Sequence, residues 1–192
     1  MPRRRINFLP GHYYHLYNKA VANDLLFREE ENYVFFISRL KEYLVDTADI
    51  LAFCLLPNHY HLMIQLKNDH LSSSMRNFAM SYAASYNKKY HRVGHLFQGR
   101  FQAKIIKSNS YLIHLSGYIH SNPVTAGLVN RAEEWPHSSY QVYLGLDRSD
   151  FHKPRMILQM FSSAESVVNE EACKLYQQYV NNWTQIGSAD RD

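Results

Sequence analysis

The chain has 192 residues, of which 46% are hydrophobic and 20% are charged, and this composition predicts a globular domain with a real core. Its longest uncharged apolar run, residues 50–56, is far shorter than the roughly 20 residues that cross a bilayer, so we expect a cytoplasmic protein without a membrane span. The only two cysteines, Cys54 and Cys173, are isolated in the sequence, which argues against a disulfide framework and a zinc knuckle.

Hydrophobic periodicity predicts an alternation of strands and helices along the first 121 residues. The expected order is β-α-β-β-α-β-α, with strands at 12–18, 49–56, 59–66 and 100–107, and helices at 29–46, 71–91 and 111–121. Asn109 or Ser110 is expected to cap the last of these helices, and Asn122-Pro123 is expected to end it. A short helix at 135–144, a linker, and a final helix at 163–183 follow.

This order of elements is typical of one fold class. It predicts an α+β domain with a ferredoxin-like or RRM-like antiparallel sheet, helices on one face, and a C-terminal helical extension. The fold class hosts many functions and by itself indicates none of them.

The distribution of charge is more informative than the net value of +4. No Asp or Glu occurs between residues 70 and 132, although eight Lys and Arg residues fall in that window. Phosphate affinity comes from Lys and Arg that no acid neutralises. The middle third of the chain therefore predicts a polyanion-binding surface.

Two histidines interrupt the otherwise apolar stretch LLPNHYHLMIQL, residues 55–66. His59 and His61 are two residues apart, so on a strand they point to the same face. Imidazole is a common ligand for divalent metals, and the pair would supply part of a coordination sphere. The spacing alone leaves open whether the pair binds a metal or is incidental.

A second stretch, YLIHLSGYIHSNPV, places Tyr111, His114, Tyr118 and Asn122 on one helical stripe. A tyrosine becomes a nucleophile where a base or a metal eases the loss of its proton. The same stripe is also compatible with ordinary packing. The spacing does not indicate whether Tyr111 or Tyr118 would be the nucleophile.

Several motifs, in this order, resemble the REP-associated tyrosine transposases and their single-tyrosine relatives with the HUH (His, hydrophobic, His) motif. PNHYHLMI is similar to the HUH motif itself, and GHLFQGRFQAKII, YLIHLSGYIHSNPVTAGLV and WPHSSYQVYLG resemble further stretches of these proteins. The resemblance covers about Tyr13 to Gly145. It implies a transposase domain at residues 1–145, followed by a linker and helical extension at 146–192.

The resemblance also implies a site and a reaction. Tyr118 would be the nucleophile, rather than Tyr111, and His59, His61 and Asn122 would bind Mg²⁺ or Mn²⁺. The implied reaction cleaves and rejoins single-stranded or hairpin DNA of the REP type through a 5′-phosphotyrosine link. After the first strand these proteins often carry an Arg-Gly pair, and here this chain departs from them with Asn18-Lys19-Ala20.

Contacts to DNA are expected from basic and polar side chains of the acid-free window and of the N-terminus. The candidates are Arg92, His95, Gln98, Arg100, Lys104 and Lys107, with a basic arm of Arg3, Arg4 and Arg5. Relatives act as dimers or as monomers, so both oligomeric states remain open.

Two other functional hypotheses also remain: a non-catalytic nucleic-acid-binding module of RRM-like fold, and a metal-dependent hydrolase without a covalent step.

Overall fold

The computed structural model describes residues 7–148, 151–162 and 170–189. Its strands and α-helices, in chain order, are β1 Tyr13–Lys19, α1 Glu30–Leu44, β2 Ala48–Leu56, β3 His59–Leu66, α2 Leu71–Lys89, β4 Gln102–Ile106, α3 Asn109–Thr125, α4 Tyr140–Tyr143, α5 Arg155–Gln159 and α6 Glu170–Ala189. None of the helices in these ranges combines the length and the apolar character that a membrane crossing requires.

The four strands form one sheet in the order β2-β3-β1-β4. This is the strand order of a ferredoxin-like split βαβ arrangement. The predicted α+β class with an antiparallel sheet is confirmed.

The pairing of β1 with β4 gives this edge of the sheet two different faces. The strands are antiparallel, with Tyr17 opposite Gln102 and His15 opposite Lys104. Opposed residues share a face and neighbours along a strand alternate. One face therefore carries buried Tyr14 and Leu16. The other, which we call the polar sheet face, carries His15, Tyr17, Lys19, Gln102 and Lys104.

The described residues divide into two compact units. The first unit comprises residues up to 49, together with 57–59 and 64–106. Its core is aromatic: the rings of Phe36 and Phe78 meet edge to face at 4.8 Å, and Tyr82 donates a 2.6 Å hydrogen bond to the carbonyl of Leu26. Such aromatic pairs stabilise the packing of α1 on α2.

The second unit comprises residues 50–56, 60–63 and those from 107 onwards. Here α3 packs against α6. Segment 135–140 is bound to β2, because Trp135 Nε1 donates to the carbonyl of Leu55 at 3.0 Å and the amide of Ser139 donates to the carbonyl of Phe53 at 3.0 Å.

Helix α3 begins and ends differently from the prediction. Ser108 is the N-cap, with its hydroxyl accepting from the amide of Tyr111 at 3.2 Å, so the expected cap at Asn109 or Ser110 was wrong. The helix also continues through Pro123 to Thr125. It does so because the amide of Ala126 still bonds the carbonyl of Asn122 at 2.8 Å, although proline itself has no N–H to donate.

The region after α3 is more broken than the sequence indicated. The predicted helix at 135–144 is reduced to α4, preceded by a short 3-10 turn at Ala132–Glu134. Helix α5 begins at Arg155, the last residue of the segment 145–155 that was expected as a linker, and no element was predicted over the rest of it. Of the predicted helix 163–183, α6 covers the part from Glu170, and residues 163–169 lie outside the described residues. The domain boundary at residue 145 stays a prediction.

Candidate active site

His59 stands at the start of β3, directly after the turn at Pro57 and Asn58. Its Nδ1 lies 2.6 Å from the side-chain oxygen of Asn58. An amide oxygen can only accept, so this contact favours the tautomer with the proton on Nδ1 and the lone pair on Nε2. Metal-binding histidines characteristically donate the second ring N–H to a carbonyl in this way. The contact with Asn58 therefore favours the tautomer of His59 that suits a metal ligand.

The surroundings of His59 also favour its neutral form. Burial lowers the pKa of His59, and the nearby ammonium of Lys19 lowers it further. A neutral imidazole is the form that binds a metal. Lys19 thus has two effects, since it adds to the effect of burial on the pKa of His59 and places a cation beside the ring.

A cavity of about 500 Å³ adjoins His59 in the first unit. Its lining combines the polar sheet face with the loop before β4: Tyr17, Asn18, Lys19, Gln98, Arg100 and Gln102. Asn18 shapes this cavity, because its buried side-chain amide donates to the carbonyl of Gly99 at 3.0 Å. Asn18 and Lys19 belong to the stretch where the resemblance implied an Arg-Gly pair.

Sequence reasoning missed Tyr17, Lys19 and Gln102 as members of this cavity. The alternation of β1 could have shown that Tyr17 and Lys19 share a face. The pairing of β1 with β4, which brings Gln102 opposite Tyr17, is a long-range contact that periodicity does not reveal.

His61 and Tyr118 meet in the second unit. Their ring centroids are 5.5 Å apart, with ring planes at 78°, an edge-to-face contact. His61 is buried and Tyr118 is half-buried. Tyr111, the other candidate tyrosine, is 38% exposed and has its ring 6.3 Å from that of His114.

The C-terminal helix covers the turn of α3 that carries Tyr118. A Cβ atom on Gly117 would lie 2.8 Å from Cδ1 of Trp183 and 2.8 Å from Cε1 of Tyr179. The ring of Trp183 lies 4.5 Å from that of His114 and 6.5 Å from that of Tyr118. Glycine at 117 therefore permits a close approach of α6. No local pattern in the sequence pointed to this contact.

His120 faces away from Tyr118, into the core of the second unit. Its Nδ1 lies 2.7 Å from the hydroxyl of Tyr176 and its Nε2 lies 2.7 Å from that of Ser139. Complete burial lowers the pKa of His120 to about 3, so the ring is neutral. His120 thus links α3, α6 and the segment before α4.

Asn122 is buried, and its side-chain amide donates to the carbonyl of Tyr118 at 3.0 Å. Its Oδ1 is the atom with the chemistry of a metal ligand. Within the described ranges no group of three or more His, Cys, Asp or Glu residues is placed to hold a metal ion. The amide oxygen of Asn122 is a ligand that suits a hard cation such as Mg²⁺, whereas an imidazole such as that of His59 or His61 is also a ligand for softer divalent metals.

The predicted DNA contacts differ in their surroundings. His95, Gln98, Arg100, Lys104 and Lys107 are exposed. Arg92 is instead engaged within the fold, since its guanidinium lies 2.8 Å from Asp24 and donates to the side chain of Asn87 at 3.0 Å. The arm of Arg3, Arg4 and Arg5 lies outside the described residues.

Residues 70–132 contain no Asp or Glu, but in the folded chain acidic side chains from other segments lie beside some of their cations. Acids from elsewhere in the sequence neutralise three of these cations: Asp24 pairs with Arg92, Glu29 with Lys89, and Glu133 with Arg131. Within the part of the chain that the structure describes, the other five make no ion pair: Arg76, Lys88, Arg100, Lys104 and Lys107.

Comparison with known proteins gives matches in both sequence and structure. The profile of the family described as Transposase IS200 like matches residues 13–122. A Haemophilus influenzae protein named as a REP-associated tyrosine transposase is 32% identical in an alignment of 104 residues that covers 48% of this chain and 58% of that protein. The chain thus matches little more than half of that relative's length.

Two solved structures are also similar. One, described as a REP-associated tyrosine transposase bound to a REP hairpin, has a TM-score of 0.66 at 19% identity, covering 80% of this chain and 98% of that chain. At this identity the similarity shows a shared fold. The other, tRNA(His) guanylyltransferase from Saccharomyces cerevisiae, has a TM-score of 0.44 at 11% identity and covers 93% of this chain and 81% of that chain, a similarity too weak to indicate a shared fold.

Proposed function

The chain belongs to the family of IS200-like transposases, and from this premise we propose that it cleaves and rejoins single-stranded or hairpin DNA of the REP type. The reaction passes through a 5′-phosphotyrosine intermediate on Tyr118. The observation that carries the proposal is the contact of the Tyr118 ring with His61, one of the two histidines of the family motif. The name of the Haemophilus influenzae relative and the description of the hairpin-bound structure support the choice of substrate.

The proposed cleavage step is a transesterification. Oη of Tyr118 attacks the scissile phosphorus, a new P–O bond forms, and the bond from phosphorus to the 3′ oxygen breaks. The phenol loses its proton and the departing 3′ oxygen takes one up. No water is consumed, so attack by another 3′-hydroxyl reverses the step and rejoins the strands.

His59, His61 and Asn122 are the residues we propose as ligands of a divalent cation such as Mg²⁺ or Mn²⁺. The tautomer of His59 that Asn58 favours supports this role. When bound, such a cation stabilises the charge that develops on a scissile phosphate.

The cavity at His59 is the proposed path of the DNA strand. Lys19 and Arg100 line it, and Lys104 stands on the same polar sheet face. Phosphate contacts of this kind fix the register of a strand without reading its sequence. Gln98 and Gln102 add side-chain amides that can hydrogen-bond to base edges.

Incubation with labelled hairpin DNA that carries a single-stranded flank, in Mg²⁺ or Mn²⁺, tests the proposal. We expect a protein–DNA band that survives denaturation, and we expect Tyr118→Phe to lose it while Tyr111→Phe keeps it. A simple binding module would shift the native band without an adduct. A hydrolase would yield cut DNA without an adduct, and either result would reject the proposed function.

A further inference from the structure

A second cavity of the first unit lies on the other side of the loop before β4. This cavity, which we call the α2 groove, has a volume of about 800 Å³ and runs between α2 and residues 94–101. The helix contributes residues from one face, among them Met75, Ala79 and Ala83. Because two of these are alanines, the helix leaves room for a ligand instead of filling the space itself.

The wall between the α2 groove and the His59 cavity, residues 96–99, is held in place by β1 and the residues just after it. The amide of Gln98 donates to the carbonyl of Lys19 at 2.9 Å, and the amide of Val21 donates to the carbonyl of Leu96 at 3.0 Å. The side chain of Asn18 adds a bond to the carbonyl of Gly99. Gln98 and Arg100 line both cavities. The two cavities are therefore neighbours across one fixed segment of backbone.

The floor of the α2 groove is apolar and partly aromatic. Leu96, Phe97 and Phe101 line it. Phe97 and Phe101 are 8% exposed, so a small part of each ring faces the groove, whereas Leu96 is 1% exposed and supports them from below. Ligand cavities of about 300–1,000 Å³ characteristically combine such a floor with a few polar groups. Such a floor suits the flat face of an aromatic ligand.

The rim of the α2 groove is cationic. Arg76 and Arg100 line it, and neither guanidinium forms an ion pair with any residue that the structure describes. The lining also contains Asp69, which lies 3.6 Å from His70. Uncompensated guanidinium groups above an apolar floor complement a ligand with a planar ring and a phosphate.

We propose that the α2 groove is a subsite for one unpaired nucleobase of the DNA strand whose neighbouring backbone occupies the His59 cavity. This inference rests on the proposed function, since it assigns a DNA strand to the cavity next door. Arg100, which lines both cavities, contacts the phosphate between the two positions. The base lies against the rings of Phe97 and Phe101, and Arg76 closes the outer end.

Filling the groove tests the inference, and the chain supplies a matched control. Ala83 lines the groove, whereas Ala84 is exposed on another face of the same helix and is not part of the lining. Ala83→Leu places a larger side chain in the part of the groove that the base would occupy. Ala84→Leu places the same side chain on the solvent-exposed face of the helix. Arg76→Ala provides a second variant that leaves the packing of α2 unchanged.

The probe is a hairpin with a single-stranded flank in which 2-aminopurine replaces each flank position in turn. We expect the wild type and Ala84→Leu to change the fluorescence strongly at one position, and Ala83→Leu to lose that change. At this position an abasic site should weaken wild-type binding about tenfold and should not weaken Ala83→Leu further, since the base no longer enters the groove. Arg76→Ala should weaken binding of the flanked hairpin and leave the hairpin without a flank unaffected.

Equal fluorescence profiles for Ala83→Leu and Ala84→Leu, with an Arg76→Ala variant that binds as the wild type does, would overturn the inference. The inference would also be overturned if Ala83→Leu changed the oligomeric state and left DNA binding unchanged. That result would assign the groove to a protein partner. Both results leave the covalent adduct intact and so reject the subsite alone. If the wild type formed no covalent adduct, the proposed function itself would be rejected.

Discussion

The phenol ring of Tyr118 lies edge to face against the imidazole of His61, with 5.5 Å between the ring centroids. One residue comes from a helix near the middle of the chain and the other from a strand more than fifty positions earlier. The contact therefore brings the proposed nucleophile beside a proposed metal ligand, the arrangement that metal-assisted transfer to a tyrosine requires.

The paired histidines should separate cleavage from binding. We expect His59→Ala and His61→Ala each to reduce adduct formation by about a hundredfold, because even the loss of a residue that only orients a metal ligand costs about 10–100-fold. Hairpin affinity, measured by a gel shift, should change little because Lys and Arg carry it. His12→Ala, at an exposed histidine before β1, serves as the control. Equal loss of binding and cleavage would contradict separate roles.

Two arginines of the same window should respond in opposite ways. Arg92 is held by Asp24 and Asn87, so Arg92→Ala should lower the free energy of unfolding by about 1–3 kcal/mol. Arg100 is exposed, so Arg100→Ala should leave stability unchanged and reduce the salt slope of DNA binding by about 1. Urea unfolding and affinity at several salt concentrations measure both. A salt slope altered by Arg92→Ala instead of Arg100→Ala would reverse the assignment.

Gly117→Ala tests the approach of α6 to α3, because the contact determines whether the substitution raises or lowers the free energy of unfolding. In an unobstructed helix alanine is about 1 kcal/mol more favourable than glycine. Here the new Cβ would lie 2.8 Å from both Trp183 and Tyr179, so we expect destabilisation by about 1–3 kcal/mol in urea unfolding. Trp183→Ala should relieve part of this cost in the double variant. A stabilised Gly117→Ala protein would show that α6 does not pack there.

The buried His15 should make stability depend on pH. Burial, followed by the charge of Lys104, lowers its pKa from 6.5 to about 4. Between these values the unfolded chain binds the proton and the folded chain does not, so stability falls as the pH drops from about 6.5 towards 4. The contribution of His15 amounts to about 2 kcal/mol between pH 7 and pH 5.

His15→Gln is the variant that isolates this effect. It should flatten the pH dependence of urea unfolding between pH 7 and pH 5. The same slope in both proteins would show that His15 titrates normally in the folded chain. Lys104→Ala should change the slope less than His15→Gln does, because burial is the larger cause of the shift.

Local patterns were sufficient to predict the sheet and its long elements. Strand β3 at His59–Leu66 begins and ends where the apolar run predicts, and α2 at Leu71–Lys89 follows its helical stripe. These elements are long and strongly periodic, so propensity and burial favour the same structure. The family resemblance is likewise confirmed, because its motifs are short and continuous in the sequence.

The parts that sequence reasoning missed depend on contacts between distant segments. Asp24 neutralises Arg92 across 68 positions, and no count of charges within the window reveals this. Trp183 reaches Gly117 from the last helix. Pro123 stays helical because packing and the bond from Ala126 outweigh its local tendency to end a helix.

Identification of the tyrosine that carries DNA after cleavage is the most direct test of the central claim. Trypsin would release residues 108–131 as one peptide containing both Tyr111 and Tyr118, and fragmentation in the mass spectrometer assigns the attached nucleotide to one of them. We predict that the nucleotide is attached through a 5′ phosphate to Tyr118. A nucleotide on Tyr111, or cleaved DNA with no modified tyrosine, would contradict it.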